Sequence, residues 1–118
     1  MKYLVVDDSK LARLSLIKSL KSYINEAEIF QAENGQEAVE LTVSEKPDIV
    51  FLDLTMPIMD GYEALPKMLD VDENLKVIVV SADVQKQAKD KIMNLGAKLH
   101  VQKPINLDKM KEILDSLK

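Results

Sequence analysis

Short apolar runs alternate with longer amphipathic segments along the chain, and the two periods assign the elements. YLVV at 3–6 reads as a first strand. From Ser9 the spacing predicts a helix with Leu11, Leu14, Ile17, Leu20 and Ile24 along one stripe. EIFQA at 28–32 is a short second strand, Asn34-Gly35 breaks the chain, and 36–45 is helical. DIVFLD at 48–53 is apolar without alternation from Ile49 to Leu52, the pattern of a strand covered on both faces. A third helix should begin near Gly61, although Pro66 lies within its pattern and should kink or delay it. VIVVSA at 77–82 is the fourth strand, and 84–95 the fourth helix, closed by Gly96. KLHVQK at 98–103 is the fifth strand, and 107–117 the last helix, with Leu107, Met110, Ile113, Leu114 and Leu117 facing inward.

A strand-helix unit thus recurs five times, at about 24 residues per unit. That alternation predicts an α/β fold: a doubly wound, five-stranded parallel sheet with right-handed crossovers and five helices on its two faces. For five such units the common strand order is 2-1-3-4-5.

Composition narrows the class. With 118 residues, 47% hydrophobic and 31% charged, one soluble domain spanning 1–118 is expected, with no linker, repeat or low-complexity tract. The net charge of −4 is mild and interspersed, which argues against nucleic acid or membrane surfaces as partners recognised by bulk charge. Zero cysteines remove disulfides, thiolate metal sites and cysteine nucleophiles. The N-terminal MKYLVVDD does not read as a signal peptide, and no apolar run reaches membrane-spanning length, so a cytoplasmic location is the expectation.

The strand ends carry the chemistry. In doubly wound sheets ligands bind beyond the carboxyl ends of the strands where the order reverses, here between the first and third strands. Asp7 and Asp8 end the first and Asp53 the third, so three carboxylates should meet in one pocket. Like charges at that range raise one another's pKa unless a cation neutralises them. An oxygen-only donor set without histidine or cysteine points to Mg²⁺, and with it to phosphate chemistry. The fourth strand ends on Ser81-Ala82, a hydroxyl beside a small side chain. The fifth ends on Lys103-Pro104, an ammonium before a bond that can be cis. A nucleophilic carboxylate, a metal, a hydroxyl and a lysine form a phosphoryl-transfer set.

Each residue has a plainer reading. Asp8 also suits a cap of the first helix, and Asp53 a turn residue ahead of Pro57. Asp60-Gly61 reads as a turn or helix start, Ser81 as structural, Lys103 as a surface charge, and His100, the sole histidine, as a half-exposed strand residue. Their arrival at one edge of one sheet is what favours a site.

In that order and spacing, the VVDDS end of the first strand, FLDLTMPIMDG, VVSA and the KP pair resemble a receiver domain of the two-component response regulators. The similarity covers the whole chain and is nearest in size to the single-domain chemotaxis type, a family for which the 2-1-3-4-5 order is a standard example. The resemblance implies that Asp53 is the phosphoacceptor for a histidine kinase or a small phosphodonor. It further implies that Asp7, Asp8, Asp53 and the Thr55 backbone carbonyl hold Mg²⁺, and that Ser81 and Lys103 bind phosphoryl oxygens. Ser81 and His100 would form the switch, His100 turning inward as Ser81 moves and altering the face made by the fourth helix, fifth strand and fifth helix. Thr55 and Asp83 fall where the family tunes dephosphorylation, and Asp83 equally suits a cap of the fourth helix. Because His100 can be protonated, pH sensitivity of the switch is a further expectation.

A stand-alone monomeric receiver acting through protein contact is therefore expected, catalysing only its own phosphorylation and dephosphorylation. A chemotaxis or motility output leads; a phosphorelay intermediate, or the excised receiver of a longer transcriptional regulator, is the alternative. A haloacid-dehalogenase-type phosphatase requires a second Asp where Thr55 stands. A flavin-binding module needs a Ser/Thr/Gly-rich first loop where Asp7-Asp8 would repel phosphate. A degenerate scaffold would not keep all five site residues.

Overall fold

The computed structural model describes residues 1–118. Five strands alternate with five helices: β1 (Lys2–Val6), α1 (Lys10–Lys21), β2 (Glu28–Ala32), α2 (Gly35–Glu45), β3 (Ile49–Leu52), α3 (Gly61–Val71), β4 (Lys76–Ser81), α4 (Lys86–Asn94), β5 (Leu99–Gln102) and α5 (Leu107–Ser116). All pairings are parallel, and the order is β2-β1-β3-β4-β5, as the sequence predicts.

Strand alternation divides the interior into two cores. Leu4, Val6, Val50, Leu52, Val77 and Val79 face α2, α3 and α4, meeting Ala38, Leu65, Met68 and Ile92. Tyr3, Val5, Ile49, Phe51, Ile78 and Val80 face α1 and α5, meeting Leu16, Ile17, Leu20, Met110 and Ile113. Both faces of β3 are covered, so all four of its residues are buried, each large side chain contributing about 2 kcal/mol of apolar transfer.

Several expectations need correction. Leu11 and Leu14 do not face the core: they are 80% and 45% exposed, while Arg13, Leu16, Ile17 and Leu20 are buried. At about 100° per residue, Leu14 lies roughly 100° and Leu11 roughly 160° from the direction of Arg13, off the face that meets the sheet. Leu107 is also outward, 49% exposed in the first turn of α5. Asn34-Gly35 does not merely break the chain but starts a helix: Asn34 Oδ1 accepts from Glu37 N at 2.9 Å, and Gly35 is the first residue of α2. Ser9, not Asp8, caps α1, accepting from Ala12 N at 3.2 Å. Pro66 does not delay α3, which starts at Gly61 on the Asp60 cap and runs through the proline to Val71. The fourth helix is shorter than the predicted 84–95, and Gly96 closes it with φ 105° by accepting the left-handed conformation a Schellman end requires.

Candidate functional site

Strand register brings the acidic residues together. Val6 pairs with Leu52, so the residues that follow them, Asp7 and Asp53, leave the sheet side by side. Their backbones continue the ladder, Asp53 N donating to Val6 O at 3.0 Å and Asp7 N to Ala32 O at 3.1 Å. Ser81 pairs with Gln102, and Lys103 N donates to Ser81 O at 2.9 Å, which sets the lysine beside the serine strand. All four residues thus stand at the carboxyl edge of one sheet, on strands fixed by apolar packing.

Carboxylate oxygens of Asp7, Asp8 and Asp53 lie within 4.8 Å of one another. Asp7 and Asp53 are both 6% exposed, whereas Asp8 faces solvent. The Lys103 ammonium bridges the buried pair, 2.8 Å from Asp7 Oδ2 and 3.1 Å from Asp53 Oδ1. The Lys103-Pro104 bond is cis. Burial pushes the Asp53 carboxyl above its ordinary pKa; the Lys103 hydrogen bond pulls it down and the Asp7 charge pushes it up again. For Lys103 burial favours the neutral amine, but its bonds to Asp7 and Asp53 prevail and hold the ammonium above its usual pKa. One lysine among three carboxylates leaves negative charge to be neutralised. The all-oxygen donors suit a hard divalent cation such as Mg²⁺; the Thr55 carbonyl, two residues beyond Asp53, accepts no hydrogen bond. A cavity of about 130 Å³ opens beside Asp53 and Lys103, its other walls including Phe51, Val80 and Ile105.

The serine side is built differently from expectation. His100 is not half-exposed but buried, 7% accessible, and its Nε2 lies 2.8 Å from Ser81 Oγ. The Ser81 hydroxyl donates to the Asp83 carbonyl at 2.7 Å. A hydroxyl has one hydrogen, so Nε2 carries the proton in the other bond and Nδ1 is bare, in agreement with its having no partner in the interior. Burial first, and the Lys89 charge second, hold the imidazole below its ordinary pKa, against opposing contributions from Asp83. The Asp83 carboxylate accepts from Gln85 N at 2.9 Å, a turn bond at the entrance to α4. Thr55 is exposed.

Two residues at the site escape sequence reasoning. Arg13 belongs to no charge motif, yet its guanidinium is buried against the Asp7 carbonyl at 2.7 Å. It lies in the opening turn of α1, and no pattern in the sequence marks it. Gly61 starts α3 as its sequence suggests, but a Cβ there would also run into the Asp53 carbonyl oxygen and come within 2.9 Å of Leu54 Cα. Gly61 N also donates to Leu54 O at 2.9 Å, so the start of α3 is tied against the residue after Asp53. Between them, Ile58 takes φ 69° in a tight turn closed by Met59 N to Pro57 O at 2.7 Å, and the turn is pinned by Gly35 N donating to Met59 O at 2.8 Å.

The family model described as the response regulator receiver domain matches residues 3–115. Chemotaxis protein CheY of Listeria monocytogenes is 40% identical over 115 residues, covering 98% of this chain and 96% of that protein. Sporulation initiation phosphotransferase F of Bacillus subtilis is 37% identical over 119 residues, covering 99% and 90% respectively. Among solved structures, the CheX-CheY-BeF3-Mg complex from Borrelia burgdorferi superposes with a TM-score of 0.92 at 32% identity, over 99% of this chain and 88% of that one.

Proposed function

The chain belongs to the receiver-domain family of two-component response regulators, and on that premise we propose that it is a phosphorylation-dependent switch, charged on Asp53 by a histidine kinase with Mg²⁺ present. The observation that carries this reading is the Lys103 ammonium bridging Asp7 and Asp53 at 2.8 and 3.1 Å. It marks a buried carboxylate paired with a cation beside a second carboxylate, at a point where added phosphoryl oxygens would find the same cation.

The Asp53 carboxylate attacks the phosphorus of a phosphohistidine; a P–O bond forms, the P–N bond breaks, and the imidazole leaves. The raised basicity of Asp53 favours attack, and Lys103 turns from the carboxylates to a phosphoryl oxygen as negative charge arrives. Asp7, Asp8 and Asp53, with the Thr55 carbonyl, would hold Mg²⁺, which when bound would neutralise charge on the carboxylates and on the transferred group. The Ser81 hydroxyl exchanges its Asp83 carbonyl for a phosphoryl oxygen, which releases the start of α4. His100 follows the serine, and the face of α4, β5 and α5 changes for a protein partner, with motility control the leading output. The chain acts on itself rather than on a turned-over substrate. Thr55 and Asp83 set how water reaches the acyl phosphate.

A second reading, passage of the group to a histidine of another protein, is supported by the exposed Leu11 and Leu14 on α1, Ile58 in the β3-α3 loop and Leu107 on α5. Leu11 and Leu14 in the opening turns of α1 and Ile58 after β3 follow the carboxyl ends of β1 and β3 and offer apolar surface to a helical donor or acceptor. The deciding experiment is incubation with acetyl phosphate and Mg²⁺ followed by intact mass. One phosphoryl adduct is expected, lost with hydroxylamine, with EDTA during loading, and in Asp53→Ala; an adduct that survives Asp53→Ala would overturn the assignment.

A further inference from the structure

We propose that Arg13 is a positioning residue for the acidic pocket: its guanidinium clamps the Asp7 carbonyl and thereby aims the Asp8 carboxylate. The inference rests on the reading of that pocket as a divalent-cation site. Arginine is seldom buried without partners that use its donors. Arg13 is 6% exposed, and Nη1 donates to Asp7 O at 2.7 Å inside the protein, a short, charge-assisted bond. Nε donates to Gln31 Oε1 at 2.9 Å on β2. The remaining contact, Nη2 to Glu33 Oε1 at 3.8 Å with Glu33 67% exposed, contributes little.

The consequence follows from covalent geometry. The Asp7 carbonyl and the Asp8 amide lie in one rigid peptide plane, so fixing the carbonyl fixes the Asp8 Cα and leaves only rotation beyond it to set the side chain's direction. Asp7 itself is already held three other ways: N to Ala32 O, Oδ1 from Ser9 N at 2.9 Å, and Oδ2 to Lys103. Asp8 makes no side-chain hydrogen bond or ion pair, and its direction comes from the main chain alone. Arg13 sits one turn into α1, its own amide bonded to Ser9 O at 3.0 Å, and folds back over the end of β1. Its Gln31 contact draws it toward edge strand β2, the opposite edge of the sheet from β5, after which Lys103 follows. The plainer role, a staple tying α1 to edge strand β2, would run through Gln31 instead.

Three variants of the full chain separate these roles: Arg13→Met, Arg13→Lys, which keeps charge but not the planar fork, and Gln31→Ala, which cuts only the β2 link. Each is titrated with Mg²⁺ by calorimetry well below its Tm, with the Asp8 amide followed by NMR before metal is added. Arg13→Met is expected to raise the Mg²⁺ Kd roughly tenfold or more, the usual scale for loss of an outer partner of a ligand. Arg13→Lys should weaken binding less, and both should shift the Asp8 amide in the metal-free protein. Gln31→Ala should lower Tm yet leave Kd within about twofold. Wild-type affinity in both Arg13 variants, or an equal loss in Gln31→Ala, overturns the proposal. Should Arg13→Met not fold, Arg13→Lys carries the same two readouts. A wild-type chain that binds no Mg²⁺ defeats the pocket reading instead, while the metal-free Asp8 shift still decides whether the clamp exists.

Discussion

The Ser81 oxygen is held between two groups, receiving the His100 Nε2 proton at 2.8 Å while its own hydrogen goes to the Asp83 carbonyl at 2.7 Å. The histidine already occupies the interior beside the serine. Engagement of Ser81 with a phosphoryl group therefore means trading one acceptor for another, with the imidazole bond as the fixed end.

His100 is accordingly expected to stay neutral, in the Nε2–H form, through the physiological pH range. A second ring proton would place Nδ1–H in the interior without an acceptor. Its folded pKa lies below the unfolded one, so the unfolded chain takes up the proton first on acidification. Stability is then full above the ordinary histidine value and is lost as pH falls from there toward the folded pKa. Long-range nitrogen-proton NMR reads the tautomer and the midpoint; a midpoint at or above the ordinary value contradicts this account, and with it the absence of a neutral-pH switch.

Asp53→Asn should stabilise the metal-free protein near neutral pH. The folded carboxyl titrates above its unfolded value, so across that window the native state holds the extra proton, stability falls as pH rises, and the penalty is complete above it. Removing the charge relieves burial and the Asp7 repulsion while Lys103 keeps Asp7. A gain on the order of 1 kcal/mol, or about 4 °C in Tm in EDTA, is expected. Mg²⁺ should raise Tm further in the wild type than in the variant, through binding to the native state alone.

Gly61→Ala should be costly for its size. The new methyl meets two backbone atoms, Asp53 O and Leu54 Cα, neither of which can rotate away. Overpacking of this kind costs about 1–3 kcal/mol and would displace Asp53 itself. Thermal melts should show the loss, and acetyl phosphate loading should slow in parallel. A variant that melts lower but loads at the wild-type rate would show that Asp53 had not moved.

Leu11→Glu separates donor docking from chemistry. The side chain is 80% exposed, so stability should change by less than about 0.5 kcal/mol. Loading from acetyl phosphate should be unaffected, whereas transfer from a phosphorylated histidine kinase domain should drop severalfold. Equal rates from both donors would place the docking surface elsewhere.

Periodicity and strand-end residues alone determined the five-unit alternation, the parallel sheet and the gathering of Asp7, Asp8, Asp53, Ser81 and Lys103. Parallel strands covered on both faces leave an unbroken apolar run, and whatever polar residue ends that run must stand at the sheet's edge. Other features depended on direction, which a one-dimensional pattern does not carry. Leu11, Leu14 and Leu107 satisfied a helical spacing, but which stripe meets the sheet was decided by packing, and that face took Arg13 instead. His100 read as half-exposed because strand alternation says nothing about how far α4 covers an edge-strand residue. The Gly61 contact with Asp53 and the Arg13 clamp on Asp7 lie between segments that only the closed sheet brings together, and so belonged to the tertiary structure.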